Sequence, residues 1–240
     1  MSLHKKLWFI TKSGSGPLYD EPDFNASCMT ETVYGESSRI IKKSGVWYYI
    51  ECNDNYKGWI HSFFGLVSNK RNLTTYIVAY PDVNGRFSFK FPFGSESKLK
   101  LEGSIPINEP LGINNIITLA NNLIGSPYRW GGKTSLGFDC SGLVQSVLKV
   151  CGICIPRDSH EQRQFFENSK IDLVDAKPGD LHFFGKEHKI NHVGFSTGGL
   201  GILHAQGIVK IDSMDSNSTN YNKDLLDIYL STHSIKPKFQ

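Results

Sequence analysis

Cys140 follows Phe138-Asp139 and precedes Ser141-Gly142-Leu143-Val144, where a glycine-rich stretch gives way to an apolar stripe of helical period. Leu143, Val144, Val147, Leu148 and Cys151 form that stripe and Gly152 ends it, so Cys140 is predicted in the first turn of a helix. A thiol there is chemically special, because the free backbone N–H groups and the helix dipole stabilise the thiolate, the nucleophilic form. Asp139 opposes this by like-charge repulsion. Its carboxylate is expected to point elsewhere, either capping the helix or binding a cationic group of a substrate. Taken alone, Cys140 reads equally well as a buried cysteine and as a nucleophile.

Two histidines decide between these readings. His192 and His204 fall on neighbouring predicted strands, 191–196 and 200–205, joined by the turn Thr197-Gly198-Gly199. Pairing symmetric about Gly198 sets residue 196 opposite 200 and His192 opposite His204, which turns both imidazoles to one side. Directly opposed residues have Cβ atoms roughly 4.5–5.5 Å apart, close enough for one imidazole to hydrogen-bond the other and fix its tautomer. That pair would be a base and its orienter. The competing reading is two unrelated histidines on a half-exposed sheet. His61, His160, His182, His188 and His233 show no partner pattern and are read as surface or structural.

The elements that must position these residues fall into two groups. Residues 1–108 contain short β-type runs punctuated by Gly, Asn, Asp and Pro, such as Val46-Trp47-Tyr48-Tyr49-Ile50 and Gly58-Trp59-Ile60. An ordered echo supports two segments. Leu18-Tyr19 with Pro22, then Tyr34-Gly35-Glu36-Ser37, is mirrored by Ala79-Tyr80-Pro81, then Phe93-Gly94-Ser95-Glu96. Residues 1–68 are therefore read as a barrel-like module, and 69–108 as a second β segment, complete or truncated, with its linker.

Residues 109–240 form the other group. Ile116, Leu119, Ala120, Leu123 and Ile124 recur at helical spacing before Gly125-Ser126-Pro127 stops the run. The Cys140 helix follows. A third helix is expected after Pro156, with Ser159 and Gln162 at capping-box spacing. Strands at 181–184, 191–196, 200–205 and 208–211 then read as consecutive and antiparallel. The fold class is α+β, with helices first and a sheet second, the layout of papain-like folds.

Composition excludes several classes of function. The 240 residues are 39% hydrophobic and 20% charged, as in ordinary globular proteins. A net charge of +3, with no strong basic cluster, is too little to point to nucleic acid. The only early apolar run, Leu7 to Ile10, is shorter than the roughly 7–15 residues a signal peptide needs, and no run approaches the roughly 18 of a membrane span. A soluble, cytoplasmic protein with no membrane partner is expected. Five cysteines leave at least one thiol unpaired within the chain, as in a reducing compartment. Cys151 and Cys154 form a C-x-x-C spacing with no second pair to complete a zinc set, so burial is favoured over metal, and Cys28 and Cys52 are read likewise.

Ser126-Pro127-Tyr128-Arg129-Trp130-Gly131-Gly132 followed by Phe138-Asp139-Cys140-Ser141-Gly142-Leu143-Val144 resembles the NlpC family of bacterial cell-wall cysteine peptidases. Pro156-Arg157 with Ser159 and Gln162, Pro178-Gly179-Asp180-Leu181 with Phe183-Phe184, Asn191-His192-Val193-Gly194 and Leu203-His204-Ala205 look like that family's later signatures, over roughly residues 112–212. Residues 19–60 resemble a bacterial SH3-like domain, chiefly through spaced glycines and the Gly58-Trp59-Ile60 ending.

The resemblance implies an α+β papain-like catalytic domain preceded by all-β SH3-like modules. It also implies a Cys-His-His triad of Cys140, His192 and His204, with Tyr128 helping at the oxyanion. The implied reaction is cleavage of the amide between γ-linked D-glutamate and a diamino acid in peptidoglycan stem peptides, without metal or organic cofactor. In members with an N-terminal SH3-like domain and no export signal, a free N-terminal L-alanine is required. Tyr128, Asp139 and Ser141 occupy the places that hold its amine, which leaves Asp139 open as substrate contact or as helix cap, while Glu36, Trp59 and Phe63 are undecided. Trp130, Gly131 and Gly132 are read as packing and turn geometry. Two alternatives stand beside this reading: a wall-binding protein with an inert peptidase half, and another papain-like reaction, either an amidase, whose relatives usually carry Asn or Glu where His204 stands, or a lipid acyltransferase, whose branch usually has its histidine before its cysteine.

Overall fold

The computed structural model describes residues 6–83, 86–186 and 189–236. His188 lies outside the described residues. The chain forms two compact units, one of residues 1–110 with 129–137 and one of residues 111–128 with 138–240.

In the first unit, seven strands make one sheet: β1 (Trp8–Thr11), β2 (Ser15–Tyr19), β3 (Cys28–Val33), β4 (Ser37–Ser44), β5 (Trp47–Glu51), β6 (Lys57–His61) and β7 (Gly65–Ser68). Their order is β3-β2-β6-β5-β4-β1-β7, with the described pairs antiparallel. The predicted strand runs fall on β5 and β6, which pair Tyr49 with Trp59 and Ile50 with Gly58. Period-2 alternation sends Phe9, Leu18, Ile50 and Ile60 into one fully buried cluster. Each such side chain contributes on the order of 1.5–3 kcal/mol by leaving water.

The next strands are short: β8 (Tyr76–Val78), β9 (Asp82–Val83), β10 (Arg86–Phe87), β11 (Glu96–Ser97) and β12 (Ser104–Pro106). They form a three-stranded sheet, β11-β8-β12, and a β9-β10 hairpin. The sequence echo has a backbone counterpart, since Gly35 and Gly94 turn the chain at φ of 86° and 85°. Few residues other than glycine adopt that conformation without strain.

Residues 129–137 also belong to this unit and include β13 (Lys133–Thr134), which pairs with β14 (Gly137–Phe138). The segment is tied down by Glu31, a carboxylate only 1% exposed. Glu31 accepts the Lys133 backbone N–H at 2.5 Å, the Ser15 hydroxyl and the Arg129 guanidinium. A buried charge persists only with partners of this kind.

The second unit contains α1 (Ile116–Asn121), α2 (Cys140–Val150), α3 (Ser159–Phe165) and α4 (Lys223–Asp227). Its six strands are β15 (Lys170–Ile171), β16 (Leu181–Lys186), β17 (Lys189–Gly198), β18 (Gly201–Gln206), β19 (Ile208–Ser213) and β20 (Tyr229–His233), in the order β15-β20-β16-β17-β18-β19. The expected stripe drives α2 inward, with Leu143, Val144, Val147 and Leu148 fully buried, and Gly152 at φ 90° closes it. The expected capping box of α3 is absent. Asp158 is the N-cap, Ser159 is the first helical residue, and Gln162 instead donates Nε2 to the carbonyls of Ser141 and Pro156 at 3.0 and 2.9 Å. Gln162 thereby ties α3 to the first turn of α2. No described helix is long and apolar enough to cross a membrane.

Candidate active site

Asp139 caps α2 from an extended backbone conformation, its Oδ1 accepting the Gly142 N–H at 2.7 Å. This satisfies one of the orphan donors of the helix start and fixes Cys140 as the first helical residue. Cys140 is 8% exposed, and the backbone N–H groups of Val193 and Ser141 point at its sulfur. Burial, and then the Asp139 charge, push the thiol up to about 11, against the pull of those two N–H groups and of Arg157. The helix start draws the sulfur toward the thiolate, while desolvation and a neighbouring carboxylate push it toward the thiol.

The Asp139 carboxylate has a second partner that the sequence reading left without a role. Arg157, 2% exposed, donates from one guanidinium nitrogen to Asp139 Oδ2 at 2.6 Å and from the other to Ser141 Oγ at 2.8 Å. The Ser141 hydroxyl donates in turn to Asp139 Oδ1 at 3.4 Å. Asp139 is thus helix cap and ion-pair partner together. A substrate ammonium would have to share this carboxylate.

His192 and His204 meet, Nε2 to Nδ1, at 2.7 Å. The register differs from the symmetric one. Phe195 pairs with Leu203 and Ser196 with Ile202, which sets Gly194, not His192, opposite His204. The turn closes Gly198 on Gly201, later than the symmetric pairing would have it, and an irregularity between Ser196 and Gly198 takes back one residue, for a net shift of two. A slip of two residues keeps the same face, so the histidines are diagonal neighbours and their rings still meet. Burial pushes both down, His192 to about 3 with help from His204, and His204 to about 4 despite the Asp212 carboxylate. Both imidazoles are neutral at physiological pH.

Asp212, absent from the sequence reading, lies 3.2 Å from His204 Nε2. It also accepts from Lys210 Nζ at 2.9 Å and Asn222 Nδ2 at 2.7 Å. The predicted strand stopped one residue short of it. Extending the tight β18–β19 turn, which pairs His204 with Lys210 and Ile202 with Asp212, would have found it.

Tyr128 is held by its backbone N–H on the Gly207 carbonyl at 2.8 Å and by a bridge to Phe138. Burial, then the charges of Cys140 and Asp139, raise its hydroxyl to about 12. It remains an O–H donor near the sulfur. Trp130 is 70% exposed, so the packing reading does not hold for it, whereas Gly131, at φ 76°, does serve turn geometry. His182 and His233 are buried and hydrogen-bonded to Thr232 and to the Phe166 carbonyl, and His61 packs on Trp47 and Phe63. His160 is exposed. All five cysteines are free, and no cluster among the described residues could hold a metal ion.

This arrangement can supply a thiol nucleophile, a neutral base and its orienter, and N–H and O–H donors for an oxyanion. Comparison with known proteins places it. The NlpC/P60 family profile matches residues 125–228, and the bacterial dipeptidyl-peptidase SH3 domain profile matches residues 18–62. The chain carries an NlpC/P60 domain behind a bacterial SH3 domain. NlpC/P60 peptidases are cysteine peptidases.

The gamma-D-glutamyl-L-lysine dipeptidyl-peptidase of Bacillus subtilis is 36% identical over 147 residues, 59% of this chain and 49% of the relative. This chain therefore spans about half of that relative's length. Dipeptidyl-peptidase 6 of Lysinibacillus sphaericus is 26% identical across 87% of this chain and 92% of its own. A solved NlpC/P60 endopeptidase from Photobacterium damselae subsp. piscicida aligns over 96% of this chain and 73% of its own with a TM-score of 0.64, at 14% identity, which shows a shared fold.

Proposed function

We propose that the NlpC/P60 domain is a cysteine peptidase that hydrolyses the γ-D-glutamyl–diamino acid amide of peptidoglycan stem peptides, through Cys140, His192 and His204. The observation that carries this reading is the buried Cys140 at the start of α2, beside β17, with His192 bonded at 2.7 Å to a second buried histidine. The relatives' names support the bond cleaved, since they include a gamma-D-glutamyl-L-lysine dipeptidyl-peptidase.

The resting pair is a neutral thiol and a neutral imidazole, so proton transfer accompanies attack instead of preceding it. His192 Nδ1 takes the Cys140 proton as sulfur bonds to the carbonyl carbon. The oxyanion is met by the Cys140 N–H at the helix start and by the Tyr128 hydroxyl. The C–N bond breaks as His192 returns the proton to the leaving amine, and a thioester remains. Water, deprotonated by His192, then releases the acid and the thiol.

A free N-terminal L-Ala is the proposed requirement at the amino end, with Tyr128, Asp139 and Ser141 as its receivers. The clustering of these three about Cys140 supports that assignment. Asp139 would then balance two cations, Arg157 and the substrate ammonium. A substrate with a capped amine would lose that contact. A requirement for a free amino end would suit an enzyme that acts on released stem peptides instead of intact wall.

The test is incubation of the protein, and of Cys140→Ala, with L-Ala-γ-D-Glu-diaminopimelate and its N-acetyl form, followed by mass spectrometry. Release of L-Ala-γ-D-Glu from the free peptide alone, and only with Cys140, is expected. Equal cleavage of the acetylated peptide would remove the amino-end requirement. No cleavage of either would overturn the assigned bond.

A further inference from the structure

Four polar side chains lie in file across β17, β18 and β19. The Asp212 carboxylate, an acceptor only, takes hydrogen bonds from Lys210 Nζ at 2.9 Å and Asn222 Nδ2 at 2.7 Å, and lies 3.2 Å from His204 Nε2. His204 must therefore carry its proton on Nε2, and, being fully buried and neutral, it presents a lone pair at Nδ1. That lone pair lies 2.7 Å from His192 Nε2, which must then be the donor. The only nitrogen of a neutral His192 left with a lone pair is Nδ1.

We infer that Asp212 is a positioning residue which, through His204, fixes the His192 tautomer able to accept the Cys140 proton. The inference rests on the triad proposed above. It extends that triad by a fourth member that touches neither the substrate nor the sulfur. Without an acceptor at Asp212, nothing forces His204 to keep its proton on Nε2. The opposite arrangement, His204 Nδ1–H donating to His192 Nε2, satisfies the histidine pair equally well and leaves His192 Nδ1 protonated. A protonated Nδ1 can donate to the sulfur but cannot take its proton. Lys210 and Asn222 serve the same end, because their bonds keep Asp212 ionised and oriented.

Asp212 is also reachable. Its side chain is 13% exposed and stands in the wall of a polar depression shared with Lys210, Asn220, Asn222 and Lys223. A small carboxylate from solution can therefore occupy the space that a truncated Asp212 would vacate.

The experiment uses the full chain, wild type and Asp212→Asn, Asp212→Ala and Asp212→Glu. Nitrogen-15 NMR of the histidine rings reads tautomers directly. Wild type should show Nε2–H on both His192 and His204. Asp212→Ala should gain Nδ1–H signal on both rings, and Asp212→Glu should keep the wild-type pattern. Stem-peptide cleavage should fall about 10–100-fold in kcat with KM unchanged, the range seen when partners that orient reactive ligands are lost. Added formate should restore part of the kcat of Asp212→Ala and none of that of Asp212→Asn.

Unchanged tautomers in Asp212→Ala would overturn the inference, and so would a kcat loss that formate leaves untouched while both rings keep Nε2–H. The ring readout needs no substrate. If wild type cleaves no stem peptide, the functional reading fails while the tautomers still decide the role of Asp212.

Discussion

Gly194 stands opposite His204 across the β17–β18 pair, and a Cβ on Gly194 would lie 2.8 Å from the Cβ of His204 and 2.7 Å from Ile202 Cδ1. Neither neighbour is a loose chain end, because His204 and Ile202 are both fully buried. The bare backbone at 194 is what lets His204 sit at the height from which it meets His192 on the diagonal. Gly194→Ala should therefore displace His204, costing about 1–3 kcal/mol as overpacking usually does. Activity should fall by more than the loss of folded protein explains. Urea denaturation and kcat on the same preparations check this; a stable variant with full activity would show that the diagonal tolerates a methyl group.

Alkylation of Cys140 should report a thiol that is not ionised at neutral pH. Burial and Asp139 hold the sulfur at about 11, while burial holds His192 at about 3. The rate with a neutral alkylating agent, followed by mass spectrometry at Cys140, should climb steadily from pH 7 to pH 10. A plateau reached near pH 6 would mean a preformed thiolate–imidazolium pair.

Arg157 should be required for folding of the second unit. Its guanidinium answers the buried Asp139 carboxylate and the Ser141 hydroxyl at once. Arg157→Met leaves that carboxylate uncompensated and should cost about 3–5 kcal/mol, the usual result of breaking one side of a buried pair. Arg157→Lys should recover only part of this, since one ammonium cannot reproduce the two-pronged contact. Adding Asp139→Asn to Arg157→Met should restore stability relative to the single variant. Urea midpoints of these proteins and of Asp139→Asn alone read the coupling.

Acid should destabilise the fold through buried neutral histidines. Burial lowers His192 to about 3 and His182 and His204 to about 4, below the ordinary 6.5. Between those values the unfolded chain binds more protons than the folded one, so stability rises with pH across that window. The stability is fully present above about 6.5 and is lost as pH falls toward 4, in addition to any carboxylate effect. Thermal melts from pH 7.5 to 4.5 should show a falling Tm, with a shallower slope in His182→Gln.

Much of the site was legible because it depends on short-range pattern. The apolar stripe after Cys140 could only be a buried helix, and a glycine turn between two strands could only return His204 toward His192. The exact pairing was not legible, because the turn closes Gly198 on Gly201 and the irregularity between Ser196 and Gly198 takes back one residue, a net shift of two that leaves no mark in composition. A shift of one would have put the histidines on opposite faces; a shift of two preserved the conclusion with a different partner. Arg157 stands 18 residues from Asp139, and only the fold of α3 onto α2 brings them together. The cap of α3 was misplaced by one residue because Asp158 and Ser159 are both competent N-caps, and local pattern does not choose between them.

Residues 129–137 belong to the β unit although the chain on both sides of them belongs to the NlpC/P60 unit. The polypeptide therefore leaves the first unit at Pro110, revisits it after Tyr128 and departs again before Phe138. A recombination event that exchanged the SH3 portion as one cassette, cut at a single junction near residue 110, would carry off Glu31 and leave Arg129 and Lys133 behind. A graft of the β unit that keeps these partners together must therefore transplant two separate stretches of sequence.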